Sequence, residues 1–118
     1  MLMLKILIVE DDEKLSQLYK IVLNKAGYET VLASNGQEAW DIFDQEHIDL
    51  VITDVMMPVL NGYDLVKILR NENPLIPVLM ITVKDDYPSK SKGFTLGIDD
   101  YMTKPIDVNE MVLRVKAL

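Results

Sequence analysis

Four short, mostly apolar runs in this chain each lead into a polar or charged residue, and that placement constrains the fold more than any other feature. Leu4-Lys5-Ile6-Leu7-Ile8-Val9 is followed by Glu10 and Asp11. Leu50-Val51-Ile52-Thr53 is followed by Asp54, and Val78-Leu79-Met80-Ile81 ends in Thr82. Asp100-Tyr101-Met102-Thr103 is followed by Lys104-Pro105. Each run reads as a strand. If the strands are parallel, their C-terminal ends share one edge of the sheet, the edge where open α/β sheets bind ligands. Three carboxylates, a hydroxyl and an ammonium would then meet in one pocket. That is the equipment for holding a divalent metal and a phosphoryl group.

The segments between the runs carry helical periodicity. From Glu13 to Ala26, apolar or aromatic residues at 15, 18, 19, 22, 23 and 26 form one face, with Asp12 as N-cap and Gly27 as stop. Glu29 to Ala33 reads as a short strand. Ser34 with Gln37, or Asn35 with Glu38, has capping-box spacing before a helix carrying Ala39, Trp40 and Phe43. Asn61-Gly62 opens a helix with Leu65, Val66 and Leu69 inward, ending before Pro74. Pro88 suits the first turn of a fourth helix, which Gly97 ends. Asp107 and Glu110 cap a fifth, with Val108, Met111, Val112 and Val115 on one face.

Five strands alternating with five helices imply a parallel sheet built by right-handed crossovers. The nearly continuous apolar runs at 4–9, 50–53 and 78–82 are expected at the centre of the sheet, and the more polar runs at 29–33 and 100–103 at its edges. A flavodoxin-like, doubly wound order 2-1-3-4-5 satisfies this. Its switch point falls between the strands that end in Glu10-Asp11 and in Asp54.

Composition agrees. A chain of 118 residues with 49% hydrophobic residues is one domain with a sizeable core. No apolar stretch is long enough for a membrane span, and no signal peptide is visible. Cysteine is absent, which excludes a disulfide framework and a thiolate metal site and fits a cytoplasmic protein. A net charge of −7 argues against direct nucleic-acid binding by this domain.

Val9-Glu10-Asp11-Asp12, Thr53-Asp54-Val55-Met56-Met57-Pro58-Val59-Leu60-Asn61-Gly62, Ile81-Thr82 and Gly97-Ile98-Asp99-Asp100-Tyr101-Met102-Thr103-Lys104-Pro105 together resemble the receiver domain of two-component response regulators. The resemblance runs from about Lys5 to the last residue and implies a CheY-like fold. It implies that a sensor histidine kinase phosphorylates Asp54 with Mg²⁺ present. The metal would be held by Glu10, Asp11, Asp54 and the main-chain carbonyl of Met56. Lys104 would pair with Asp54 and then with phosphoryl oxygens, and Thr82 would donate to a phosphoryl oxygen. A Lys104-Pro105 cis bond is also implied. Chemistry supports these roles. A carboxylate can attack phosphorus to form a mixed anhydride, and Mg²⁺ prefers a few carboxylates plus phosphate oxygens and water. Without metal the clustered acids repel, so at least one pKa should rise.

The resemblance further implies a switch in which Thr82 moves inward and Tyr101 rotates, shifting the face made by the fourth helix, fifth strand and fifth helix. On that face Lys90, Lys92, Asp99, Asp100, Glu110 and Arg114 resemble the dimerisation surface of regulators with winged-helix DNA-binding output domains. A homodimer on phosphorylation, and a DNA-binding domain following this receiver in the full protein, are the resulting expectations. The alternative is a stand-alone receiver acting by protein contact.

Other readings are weaker. An aspartate-nucleophile phosphohydrolase commonly carries a second Asp two residues on, where this chain has Met56. A flavin carrier would meet a repelling acidic loop after the first strand. Asp12 reads as a helix cap, His47 as a surface residue, Trp40 as half-buried packing, and the methionines as core filler. Val83, Ile98 and Ile106 depart from the common family pattern. Val83 is expected to narrow access to the phosphorylation site and to slow loss of the phosphoryl group.

Overall fold

The computed structural model describes residues 3–57, 59–83, 91, 95 and 97–118. Its strands are β1 (Lys5–Val9), β2 (Glu29–Ala33), β3 (Leu50–Thr53), β4 (Val78–Thr82) and β5 (Asp100–Thr103). They form one sheet in the order β2-β1-β3-β4-β5, and every pairing is parallel. The four described helices are α1 (Glu13–Lys25), α2 (Gly36–Gln45), α3 (Gly62–Glu72) and α4 (Val108–Ala117). The last is the fifth helix expected from the sequence. The expected fourth, with Pro88, Lys90 and Lys92, falls outside the described residues.

Strand alternation divides the core into two layers. Leu7, Val9, Val51, Val78 and Met80 face one side, where Ala39 of α2 and Leu65, Val66 and Leu69 of α3 cover them. Ile6, Ile8, Ile52, Leu79 and Ile81 face the other, against Tyr19 and Leu23 of α1 and Met111 and Val115 of α4. Both faces of β1, β3 and β4 are therefore buried, which is why these runs are apolar at every position except Lys5, Thr53 and Thr82 at their ends.

The helix starts follow the expected chemistry. Asp12 accepts the N–H groups of Lys14 and Leu15 at 3.0 and 3.2 Å. Asn61 caps α3 by accepting the Asp64 N–H, and Asp107 caps α4 by accepting that of Asn109. At α2 the Asn35 alternative holds. Asn35 accepts the Glu38 N–H at 2.8 Å, while Glu38 reaches back to Ser34 rather than to the cap itself. Gly27, with φ +100°, makes the left-handed turn that ends α1.

Two packing expectations need correction. Leu18 is exposed and Ser16 is buried, because the inward stripe of α1 runs through Ser16, Tyr19 and Leu23. Ser16 tolerates burial by donating its hydroxyl to the Glu13 carbonyl at 3.0 Å. Among the methionines, only Met80, Met102 and Met111 fill the described core, whereas Met3 and Met56 are exposed. Trp40 is half buried and stacks on Phe43 at 6.2 Å, and His47 lies at the surface.

Candidate functional site

Sheet hydrogen bonding continues one step past the strands and brings the chemistry together. The Glu10 N–H donates to the Ala33 carbonyl at 3.0 Å, that of Asp54 to Val9 at 3.1 Å, and that of Lys104 to Thr82 at 2.8 Å. Val9 is in register with Thr53, and Thr82 with Thr103. The residues that follow these positions thus leave the sheet side by side. Carboxylate oxygens of Glu10, Asp11 and Asp54 lie within 4.8 Å of one another.

Burial divides the roles. Glu10 and Asp54 are 4% and 5% exposed, while Asp11 faces solvent. Lys104 Nζ donates at 2.6 Å to Asp54 Oδ2 and at 2.6 Å to Glu10 Oε1. The other oxygens also have donors. The Met56 N–H donates to Asp54 Oδ1 at 3.1 Å, and the Asp12 N–H to Glu10 Oε2 at 3.0 Å. The Lys104-Pro105 peptide is cis.

One cation shared by two buried acids leaves an excess of negative charge. Burial raises the Glu10 pKa above its ordinary value, against the lowering effect of Lys104 and the Asp12 N–H. The expected rise therefore occurs, with burial rather than mutual repulsion as its main cause. Burial alone would lower the Lys104 pKa. The hydrogen bonds to Asp54 and Glu10 outweigh it and hold the ammonium above its usual value.

The donor set suits a hard divalent cation: every available ligand atom is oxygen, and two of the three acids are already desolvated. Thr82 closes the site at the end of β4. It is 0% exposed, and its hydroxyl has no hydrogen-bond partner among the described residues. Tyr101, next in the sheet after β4, is buried.

The expected dimer-face residues fall into two groups. Arg114 pairs with Asp100 at 2.7 Å and, one turn along α4, with Glu110 at 2.9 Å. Asp99 instead accepts the Val78 N–H at 2.8 Å and pairs with Arg70 at 3.1 Å. Arg70 also donates to the carbonyls of Ile76 and Gly97, tying α3 to the starts of β4 and β5. Its position near the end of a helix gave no sign of this clamp. Tyr19 was read only as core aromatic, yet it lines a cavity with Lys104 and has a buried hydroxyl without a partner among the described residues.

A twofold-wound parallel sheet, with paired acids at its switch point and a lysine after its last strand, defines a receiver domain. The chain matches the response regulator receiver domain family over residues 6–116 and belongs to it. It is 43% identical to the alkaline phosphatase synthesis transcriptional regulatory protein PhoP of Bacillus subtilis, over 97% of this chain and 48% of that protein. It is 40% identical to the transcriptional regulatory protein CpxR of Escherichia coli, over 97% of this chain and 48% of that one. The chain thus spans about half the length of the curated relatives it matches. Among solved structures, the Francisella response regulator 1452 receiver domain superposes with a TM-score of 0.91 at 36% identity, covering 96% of this chain and 93% of that one. Vibrio cholerae chemotaxis protein CheY4 gives 0.94 at 30% identity, covering 98% of both chains. As a receiver domain, the chain is a phosphorylation-dependent signalling switch of a two-component system.

Proposed function

We propose that Asp54 accepts a phosphoryl group from a sensor histidine kinase, with Mg²⁺ held by Glu10, Asp11, Asp54 and the Met56 main-chain carbonyl. The observation that carries this reading is the convergence of Glu10, Asp11 and Lys104 on the buried carboxylate of Asp54. An Asp54 oxygen forms the new bond to phosphorus as the bond to the donor breaks, giving a mixed anhydride. A bound Mg²⁺ would neutralise charge on the transferring phosphoryl oxygens. Lys104 supplies a second positive charge at the same place, and the Met56 N–H and Lys104 hold the carboxylate in a fixed orientation. The Thr82 hydroxyl, buried and without a partner among the described residues, is available as a donor to a phosphoryl oxygen.

The chain takes part in its own aspartyl phosphorylation and dephosphorylation and turns over no other substrate. Val83, which shares a cavity with Lys104, slows loss of the phosphoryl group relative to a Val83→Ala variant. The output is a change on the face of β5, α4 and the segment before β5, leading to dimerisation and, through a DNA-binding domain in the full protein, to control of transcription. The names of the relatives support the transcriptional part. The protein acts in the cytoplasm. Among the described residues no helix is long and apolar enough to cross a membrane.

Incubation with a small phosphodonor and Mg²⁺ tests the reading. One phosphoryl group per chain is expected in the native protein and none in Asp54→Asn. Labelling of the Asn variant would place the acceptor elsewhere. Mg²⁺ should also raise the melting temperature, by the equivalent of about 2.7 kcal/mol at a hundred times its dissociation constant. Asp11→Asn should remove most of that rise.

A further inference from the structure

Tyr19 is a buried group next to the site that the chemistry above leaves unused. It lies on the inward stripe of α1 and is 1% exposed. Its hydroxyl is sealed from solvent and has no hydrogen-bond partner among the described residues. The ring belongs to the same core layer as Ile6, Ile8 and Met111, where phenylalanine would fill almost the same space. Only the hydroxyl is anomalous. Leaving such a group unpaired costs stability, so its presence calls for an explanation.

Its surroundings point to a partner. The Tyr19 side chain and Lys104 line the same cavity of about 310 Å³, together with Val83 and Pro105. The charges that reach the phenol are those of Lys104 first, then Glu10, Asp54 and Asp12. Burial pushes its pKa up to about 12, so at neutral pH it is an uncharged hydroxyl that can accept a hydrogen bond. Lys104 carries three ammonium protons, and the described bonds to Asp54 and Glu10 use two.

We propose that the Tyr19 hydroxyl is the alternative acceptor for the Lys104 ammonium, engaged when Asp54 carries a phosphoryl group. The inference rests on the reading of Asp54 as phosphoacceptor. In the free protein Lys104 bridges Asp54 and Glu10. Once anionic oxygens extend beyond Asp54, the ammonium follows them, and its bond to Glu10 is exchanged for one to Tyr19. Glu10 then no longer shares its oxygens between Lys104 and the cation that they are placed to hold. Tyr19 is a positioning residue: it acts through Lys104 and touches no reacting atom.

The test uses Tyr19→Phe and the phosphoryl mimic beryllofluoride with Mg²⁺. Melting of the free variant should match or exceed that of the native protein, because an unpaired hydroxyl has been removed. Affinity for the mimic should fall about three- to tenfold, the range of one hydrogen bond, and the phosphoryl group from a small donor should be lost faster. Native affinity in the variant would overturn the inference. So would a lower melting temperature of the free variant, which would mean that the hydroxyl is already paired there. A native protein that ignores the mimic would overturn the Asp54 reading as well, which separates the two failures.

Discussion

Lys104 and Asp54, 50 positions apart in the chain, meet at 2.6 Å, and the same ammonium reaches Glu10 at 2.6 Å. The lysine therefore stands as counter-charge to two acids that are almost fully buried. It occupies oxygens that a divalent cation would also use, so protein cation and metal compete for one electrostatic role.

Lys104→Met separates those effects. Methionine keeps much of the apolar stem and removes the charge. Two buried carboxylates are left without their cation, and the free protein should lose about 3 kcal/mol, as when one partner of a buried pair is removed. Mg²⁺ should bind more tightly, because its competitor is gone. Denaturant unfolding and a Mg²⁺ titration followed by melting measure both. Unchanged Mg²⁺ affinity would show that Lys104 does not compete.

Glu10 gives a pH dependence of defined sign. Its folded pKa lies above the ordinary 4.5, so the folded protein keeps this proton longer than the unfolded chain. The resulting stabilisation is complete below pH 4.5 and is lost as pH rises through the raised folded value. Glu10→Gln fixes the uncharged state, and its amide oxygen can still accept from Lys104. In Mg²⁺-free buffer the variant should melt higher than the native protein at neutral pH, and the two should converge toward pH 4.5. It should also lose most of the Mg²⁺ response. Parallel melting curves across that range would remove Glu10 as the source.

The start of α3 bears directly on Asp54. A Cβ on Gly62 would sit 2.0 Å from the Asp54 carbonyl oxygen, so the backbones themselves would have to separate. Gly62→Ala should cost about 2 kcal/mol or more by overpacking and should weaken Mg²⁺ binding by moving Asp54. Three residues earlier, Val59 has φ 71°, a left-handed conformation that disfavours β-branched side chains. Val59→Asn should stabilise by about 1 kcal/mol, since asparagine tolerates that region. Denaturant midpoints test both, and a destabilised Asn variant would mean that Val59 makes contacts outweighing its backbone strain.

These two positions show where sequence reading stops. The strands, their order and the converging acids were legible because apolar runs mark buried strands and parallel pairing collects their ends. The caps Asp12, Asn35, Asn61 and Asp107 were legible because capping needs a short acceptor side chain next to the first turn. Asn61-Gly62 read only as the opening of a helix, however, because the closeness of Gly62 to Asp54 is a tertiary fact. Leu18 was assigned to the core because an apolar stripe does not show where its helix meets the sheet. Lys104 was paired with Asp54, but its bond to Glu10 depends on side-chain geometry beyond any spacing rule. Arg70 was missed for the same reason: its acceptors are the backbone carbonyls of Ile76 and Gly97 and the Asp99 carboxylate, which only the folded chain gathers around it.

Arg114 lies on the proposed output face and ties α4 to the start of β5. Its guanidinium bonds both oxygens of Asp100, at 2.7 and 2.8 Å, and pairs with Glu110 within the same chain. A reciprocal dimer pairing these charges across a two-fold axis must first exchange intramolecular bonds for intermolecular ones. The exchange is close to neutral, since each pair is partly exposed and contributes roughly 0–1 kcal/mol. Such pairs set register, while apolar contacts such as those of Leu113, exposed on the same helix, must supply affinity. Arg114→Gln should therefore shift monomer stability by less than about 1 kcal/mol. It should nevertheless weaken the dimer formed with beryllofluoride and Mg²⁺ severalfold, and added salt should weaken the native dimer in the same direction. Sedimentation of native and variant protein, with and without the mimic, measures this. A variant dimer as tight as the native one would move the interface to another face of the domain.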